Sequence, residues 1–180
     1  MSGRNSAALV ARVPLSVLML ALSLVACRSQ VEVASVAALA PVDTAALVAK
    51  VRAAAAADDV LQVEPLRDAQ TEDLRLAAQR LERQGDYRAA LQRLQQARAL
   101  APQDPTLLQE AAELSLYLAD WEQAIALASR SFENGPRLGP LCRRNWTTLQ
   151  LVREQIGDGE GSASAQAQRQ RCTVSAPVRM

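Results

Sequence analysis

The chain has 180 residues, with 20 basic and 19 acidic side chains, a formal net charge of +1 and no histidine. Near-balanced charge excludes electrostatic capture of nucleic acid, and the missing histidine removes the commonest general base and metal ligand. Apolar residues make up 49% of the chain but aromatics only 3%, so a core must be built from small side chains, as suits closely packed helices. No glycine-rich phosphate loop and no Gly-x-Ser-x-Gly occur. The length fits one domain, and the reading is a protein that is not an enzyme, with no cofactor and no metal site.

In chain order, residues 1–12 carry Arg4 and Arg12 and no acid, and a 14-residue apolar run follows from Val13 to Ala26, ending at Cys27. A basic start, a short apolar run and small residues before a cut site describe a secretory signal peptide over 1–26. The run is shorter than the roughly 20 residues a membrane-spanning helix needs. Residues 27–42 read as a tether. Asp43 and Thr44 then suit a helix start, and Ala45 to Ala57 has high helix propensity with Leu47, Val48 and Val51 on one face. Residues 58–70 lose that period and contain Pro65, so an extended connection is expected there, and 43–70 forms an N-terminal helix and connection.

From Thr71 the helical pattern is clear. Thr71 is a candidate cap, Glu72 and Asp73 favour the first turn, and Leu74, Ala77, Ala78 and Leu81 share a face. Gln84-Gly85-Asp86 breaks the run, and a second helix carries Ala90, Leu91, Leu94 and Ala97 up to Pro102. A shift of 34 residues reproduces this unit. Leu74 meets Leu108, Ala77-Ala78 meets Ala111-Ala112, Gly85-Asp86-Tyr87 meets Ala119-Asp120-Trp121, Ala90 meets Ala124, Leu91 meets Ile125, and Pro102 meets Pro136. Asp104 and Pro105 mark the start of the second copy. A third, degenerate unit follows a four-residue slip, with Trp146 and a Leu149, Val152, Ile156 stripe before Gly157-Asp158-Gly159. Residues 161–171 form a polar closing helix, as the end of a solenoid requires.

Two resemblances rest on these residues. Leu24-Val25-Ala26-Cys27 resembles the lipobox of bacterial lipoproteins, although an ordinary signal peptide containing a cysteine is the alternative. The lipobox resemblance implies cleavage before Cys27, diacylglyceryl transfer to its thiol and acylation (palmitate) of the new amino group. Two or three chains give stable anchoring where one does not. Arg28, in place of Asp, implies the outer membrane facing the periplasm. The 34-residue unit resembles the tetratricopeptide repeat (TPR). It implies an all-α fold, a short TPR-like helical-hairpin solenoid of about two and a half repeats with flanking helices. On that register the repeats are 71–104 and 105–138, the degenerate capping unit is 141–172 within a domain over 71–174, and 175–180 is a flexible tail. Ser115 and Ala119 depart from the family pattern, which prefers a larger residue and a glycine there.

With Cys27 lipidated, Cys142 and Cys172 remain as an even pair in an oxidising compartment. They sit at the two ends that an antiparallel hairpin brings together, so a disulfide is expected, with two free thiols as the alternative. TPR arrays are, by resemblance, protein-binding scaffolds whose partners lie against the first helix of each unit. The implied groove residues are Arg75, Gln79, Glu82 and Arg83 in the first unit, Gln109, Glu113, Leu116 and Tyr117 in the second, and Thr147, Leu151 and Glu154 in the third. Leu116 and Tyr117 are the apolar centre, unless the helix at 45–57 covers them and makes them core. The functional reading is a cell-envelope lipoprotein acting as a scaffold or adaptor for unknown envelope proteins. It would be held to the membrane by its lipid anchor, as repeat lipoproteins of pilus assembly, outer-membrane assembly and cell-wall enzyme regulation are. The alternative is a structural envelope lipoprotein that self-associates as a homo-oligomer.

Overall fold

The structure, a computed structural model, describes residues 41–55 and 66–173. The signal peptide, Cys27, the tether to Ala40, the end of the expected 45–57 helix, the first part of the 58–70 connection and the tail all lie outside those residues. Seven helices and no strand occur among the described residues: α1 Thr44–Ala53, α2 Ala69–Arg83, α3 Tyr87–Leu100, α4 Pro105–Tyr117, α5 Trp121–Asn134, α6 Gly139–Gln155 and α7 Gly159–Arg171. Helices α2 to α7 form three antiparallel hairpins, each packed against the next, and α1 lies on α4 and α6.

The same local chemistry builds the turn of every hairpin. Gly85, Ala119 and Gly157 adopt positive φ values of 80°, 53° and 78°. The aspartate that follows each turns its N–H back on the first helix, Asp86 to Leu81 O at 3.0 Å, Asp120 to Ser115 O at 2.9 Å and Asp158 to Arg153 O at 2.9 Å. Each aspartate carboxylate then accepts the N–H three residues on, from Ala89, Gln123 and Gly161, and so caps the second helix. The 34-residue period is thus a period of turn geometry as well as of apolar spacing. The proline Pro105 opens α4 behind its cap Asp104, where a missing N–H costs nothing.

The cap of α2 differs from the sequence reading. Asp68, not Thr71, is the capping residue, and its carboxylate accepts both the amide (3.0 Å) and the hydroxyl (2.5 Å) of Thr71. Those two donors hold the Asp68 carboxyl below the usual carboxylate range. With Asp68 at the cap position, the helix starts at Ala69. A second correction concerns Ile156, which ends α6 and is 52% exposed, outside the apolar stripe.

Alanines decide how closely the hairpins approach. Ala78, Ala90, Ala97, Ala111, Ala112 and Ala128 are buried in one cluster with Leu91, Leu94, Leu107, Leu108, Leu114, Leu127 and Leu149. Small side chains at the crossings let leucines from neighbouring helices interdigitate at interior density. The last hairpin contributes least, since α7 buries only Ser162 and Ala165. Its open end is closed covalently: Cys142 and Cys172 are joined, Sγ to Sγ at 2.02 Å, and the Gly139 N–H donates to Cys172 O at 2.7 Å. Closing 30 residues contributes about 3–4 kcal/mol on the chain-entropy account, a large share of the stability of a small domain.

Ala119 is the one non-glycine residue at positive φ among the described residues. An L side chain in the left-handed region costs roughly 1–2 kcal/mol, partly offset by the greater freedom of glycine in the unfolded chain. Ala119→Gly is therefore expected to raise stability by roughly 0.5–1 kcal/mol, read as a higher midpoint in urea with an unchanged slope; a lower midpoint would contradict the turn geometry.

Candidate partner-binding groove

The first helices of the three hairpins, α2, α4 and α6, present the face on which a partner was expected. The chain fills much of that face itself. Leu47, Val48 and Val51 of α1 form a second apolar cluster with Leu116 of α4, Ala124 of α5, and Leu151 and Val152 of α6, with Tyr117, Trp121 and Ile125 at its edge. A ten-residue helix falls short of the ~12–15 residues at which isolated helices become even marginal in water, so the groove supplies what makes α1 helical.

Polar contacts fix α1 at both ends. Its N-terminal Thr44 donates Oγ1 to Tyr117 O at 3.2 Å, and Arg143 on α6 donates Nε to Ala54 O at 2.8 Å and Nη2 to Ala55 O at 3.3 Å, supplying donors for carbonyls at the end of the helix. Arg52 reaches across to two helices, with Nη2 2.7 Å from Glu82 Oε1 and Nε 2.9 Å from Glu113 Oε2. Burial opposes the charge on Arg52, and the two carboxylates outweigh it, so its pKa lies above the ordinary guanidinium value.

Glu113 is fully buried and is shared. Arg144 donates Nη2 to its Oε1 at 2.6 Å and Nε at 2.9 Å, and Gln109 donates Nε2 to the same oxygen at 3.0 Å while also reaching Thr148 Oγ1 at 2.9 Å. One turn earlier Glu110 accepts Nε and Nη2 of Arg75 at 2.9 and 2.7 Å. Burial raises the Glu110 carboxyl above its ordinary range, and Arg75 and Arg144 pull it back only in part.

The predicted groove residues therefore divide. Gln109, Glu113, Thr147 and Leu151 are buried, which corrects the expectation that they line an open surface; Leu116 is core beneath α1 beside Leu151, the alternative that the sequence left open for it, and Gln109 and Glu113 belong to the polar network under α1. Thr147, between Arg143 and Leu151 on α6, gives its hydroxyl to Arg143 O at 2.7 Å. Tyr117 is half-buried and stacked on Tyr87, ring centroids 4.0 Å apart. Arg75 is tied to Glu110 and Glu72. Glu154, exposed on α6, bonds within the last hairpin, accepting from Ser162 Oγ of α7 at 3.1 Å and from Gln150 Nε2 at 3.0 Å. Only Gln79, Glu82 and Arg83 remain at an open cleft of about 290 Å³, beside Arg52, Glu110 and Arg144 at the C-terminal end of α1. Sequence reasoning missed Arg52, Arg143 and Arg144, whose partners lie on other helices.

Among the described residues no group of three or more cysteine, histidine, aspartate or glutamate side chains could hold a metal ion, and no helix is long and apolar enough to cross a membrane. Residues 81–137 match the family described as tetratricopeptide repeat. Among solved structures, the chain is similar to the globular C-terminal domain of P. aeruginosa LpoP, with 27% identity and a TM-score of 0.54, over 58% of this chain and 99% of that one. No curated protein matches the chain.

Removing Glu113 strands Arg144 and loosens Arg52 together. Breaking a buried ion pair costs ~3–5 kcal/mol, reduced here because Arg52 is 43% exposed and keeps Glu82. Glu113→Ala is expected to cost roughly 2–4 kcal/mol in urea unfolding, and Glu113→Gln, which still accepts hydrogen bonds, clearly less; equal losses would refute a charge-centred network. These features together describe an all-α, TPR-like solenoid with a protein-binding role.

Proposed function

We propose that the chain is a cell-envelope lipoprotein that holds a partner protein near the membrane through its TPR-like domain. The observation that carries the reading is the face of first helices: it already holds one helix, α1, by apolar and charge contacts, and leaves the Arg52, Gln79, Glu82, Arg83, Glu110 and Arg144 cleft open beside it. Such a surface suits protein contacts, where buried apolar anchors are rimmed by charge. The sequence around Cys27 supports the anchor, with the outer membrane implied by Arg28, and the likeness to the globular C-terminal domain of LpoP supports the helical domain. A non-enzymatic role is in keeping with the structural, fully paired carboxylates Glu110 and Glu113. Self-association of a structural lipoprotein is the second reading, favoured by Leu66, Leu76 and Leu100, which remain exposed on the first hairpin and the segment entering it.

Two measurements test the proposal. Intact mass of membrane-extracted protein should correspond to a chain beginning at Cys27 plus acyl groups, and a Cys27→Ser variant should lose both processing and membrane attachment; retention of both would refute the anchor. Cross-linking in native membranes should yield a defined hetero-complex that Arg83→Glu weakens, since Arg83 is exposed at the cleft. Products containing only this chain would favour self-association instead.

A further inference from the structure

The contacts of α1 divide the molecule in a way that its place in the chain does not require. The larger apolar core of the three hairpins contains no residue of α1, and α1 covers only the smaller cluster of Leu116, Ala124, Leu151 and Val152. Glu113, the buried carboxylate that α1 engages, keeps Arg144 and Gln109 if Arg52 leaves. The chain is pinned again just before α2, where Arg67, 5% exposed, donates Nε to Asp104 at 2.6 Å and Nη2 at 3.3 Å, while its Nη1 lies 3.5 Å from Glu72. Departure of α1 thus leaves Glu113 paired, and its cost falls on Arg143, which loses the carbonyls of Ala54 and Ala55. It uncovers a strip of Leu116, Leu151 and Val152 flanked by Glu82 and Glu113.

We infer that α1 is a releasable occupant of the groove, and that the partner enters as an amphipathic helix in its place. This deepens the protein-binding reading and rests on it. The chemistry of that helix is written in α1: two adjacent apolar residues (Leu47, Val48), a third on the next turn (Val51), and an arginine beside it (Arg52) for the paired glutamates. Such a helix meets the groove by apolar anchors repeated at helical spacing. The intramolecular helix then reduces the partner's apparent affinity by the fraction of molecules in which the groove is closed.

The test uses the full-length chain in detergent and a fluorescein-labelled peptide of residues 42–55. In the chain carrying Val48→Asp, the tethered helix is weakened, and the peptide should bind at least about tenfold more tightly than to the unaltered chain. A peptide carrying Arg52→Glu should lose that gain. Equal binding to both chains, with circular dichroism unchanged, would overturn the inference. Native-state hydrogen exchange on the unaltered chain gives a reading free of folding defects: amides of residues 47–53 should exchange at least about 100-fold faster than those of α4, by local opening. Matching protection would overturn it. If the altered chain instead forms a dimer that the peptide dissolves, the occupant is a second copy and the partner-helix assignment fails. The peptide assay needs no envelope protein, so peptide binding without any captured partner would refute the protein-binding reading alone.

Discussion

Glu113 is the constraint around which the inner face is arranged. A carboxylate with no exposure to solvent is tolerated only when its charge is paired and its lone pairs are filled. Arg144 from α6, Arg52 from α1 and Gln109 from its own helix do this, and Thr148 extends the network through Gln109. The register of α6 against α4, and the resting place of α1, follow from that requirement. The apolar contacts of Leu116, Leu151 and Val152 with α1 supply the attraction, but attraction of that kind is non-directional. The arginine fork fixes the orientation.

Around this centre the molecule has two levels of organisation. The hairpins are joined by alanine-lined crossings and leucines, a closed core that each neighbour extends, as stacked repeats do. The ends are handled differently. The last hairpin has little apolar burial and is tied by Cys142–Cys172. On the inner face α1 is held by one small cluster, by Arg52 and by Arg143. A domain with few aromatics gains from both devices, because neither depends on a large apolar core.

Much of the fold was legible in local pattern. The apolar spacing, the Gly85-Asp86 and Ala119-Asp120 turns and the prolines state the hairpins, because turn chemistry acts within a few residues. Leu47, Val48 and Val51 were recognisable as one apolar face, and they are the residues α1 buries. That they cover Leu116 was open as one alternative, but the polar contacts that hold them there were not legible. Arg52 and Glu113 are 61 residues apart and Arg143 and Ala54 are 89 apart, and no periodicity records such pairings. Leu116 is core beneath α1, the alternative that the sequence left open, whereas Leu151, read only as a groove residue, lies under the same helix. The Asp68 cap was missed because Thr71, one turn on, is itself a good capping residue and lies nearer the apolar stripe.

The account stands on α1 lying in the groove of its own chain. Methyl-selective nuclear Overhauser spectra of the full-length chain address this directly, because they detect methyl pairs only a few ångströms apart. Cross-peaks between the Val48 or Val51 methyls and those of Leu116, Leu151 or Val152, together with helical shifts over residues 44–53, are the predicted result. Random-coil shifts over that segment, with Leu116 and Leu151 showing contacts only within the hairpins, would contradict it.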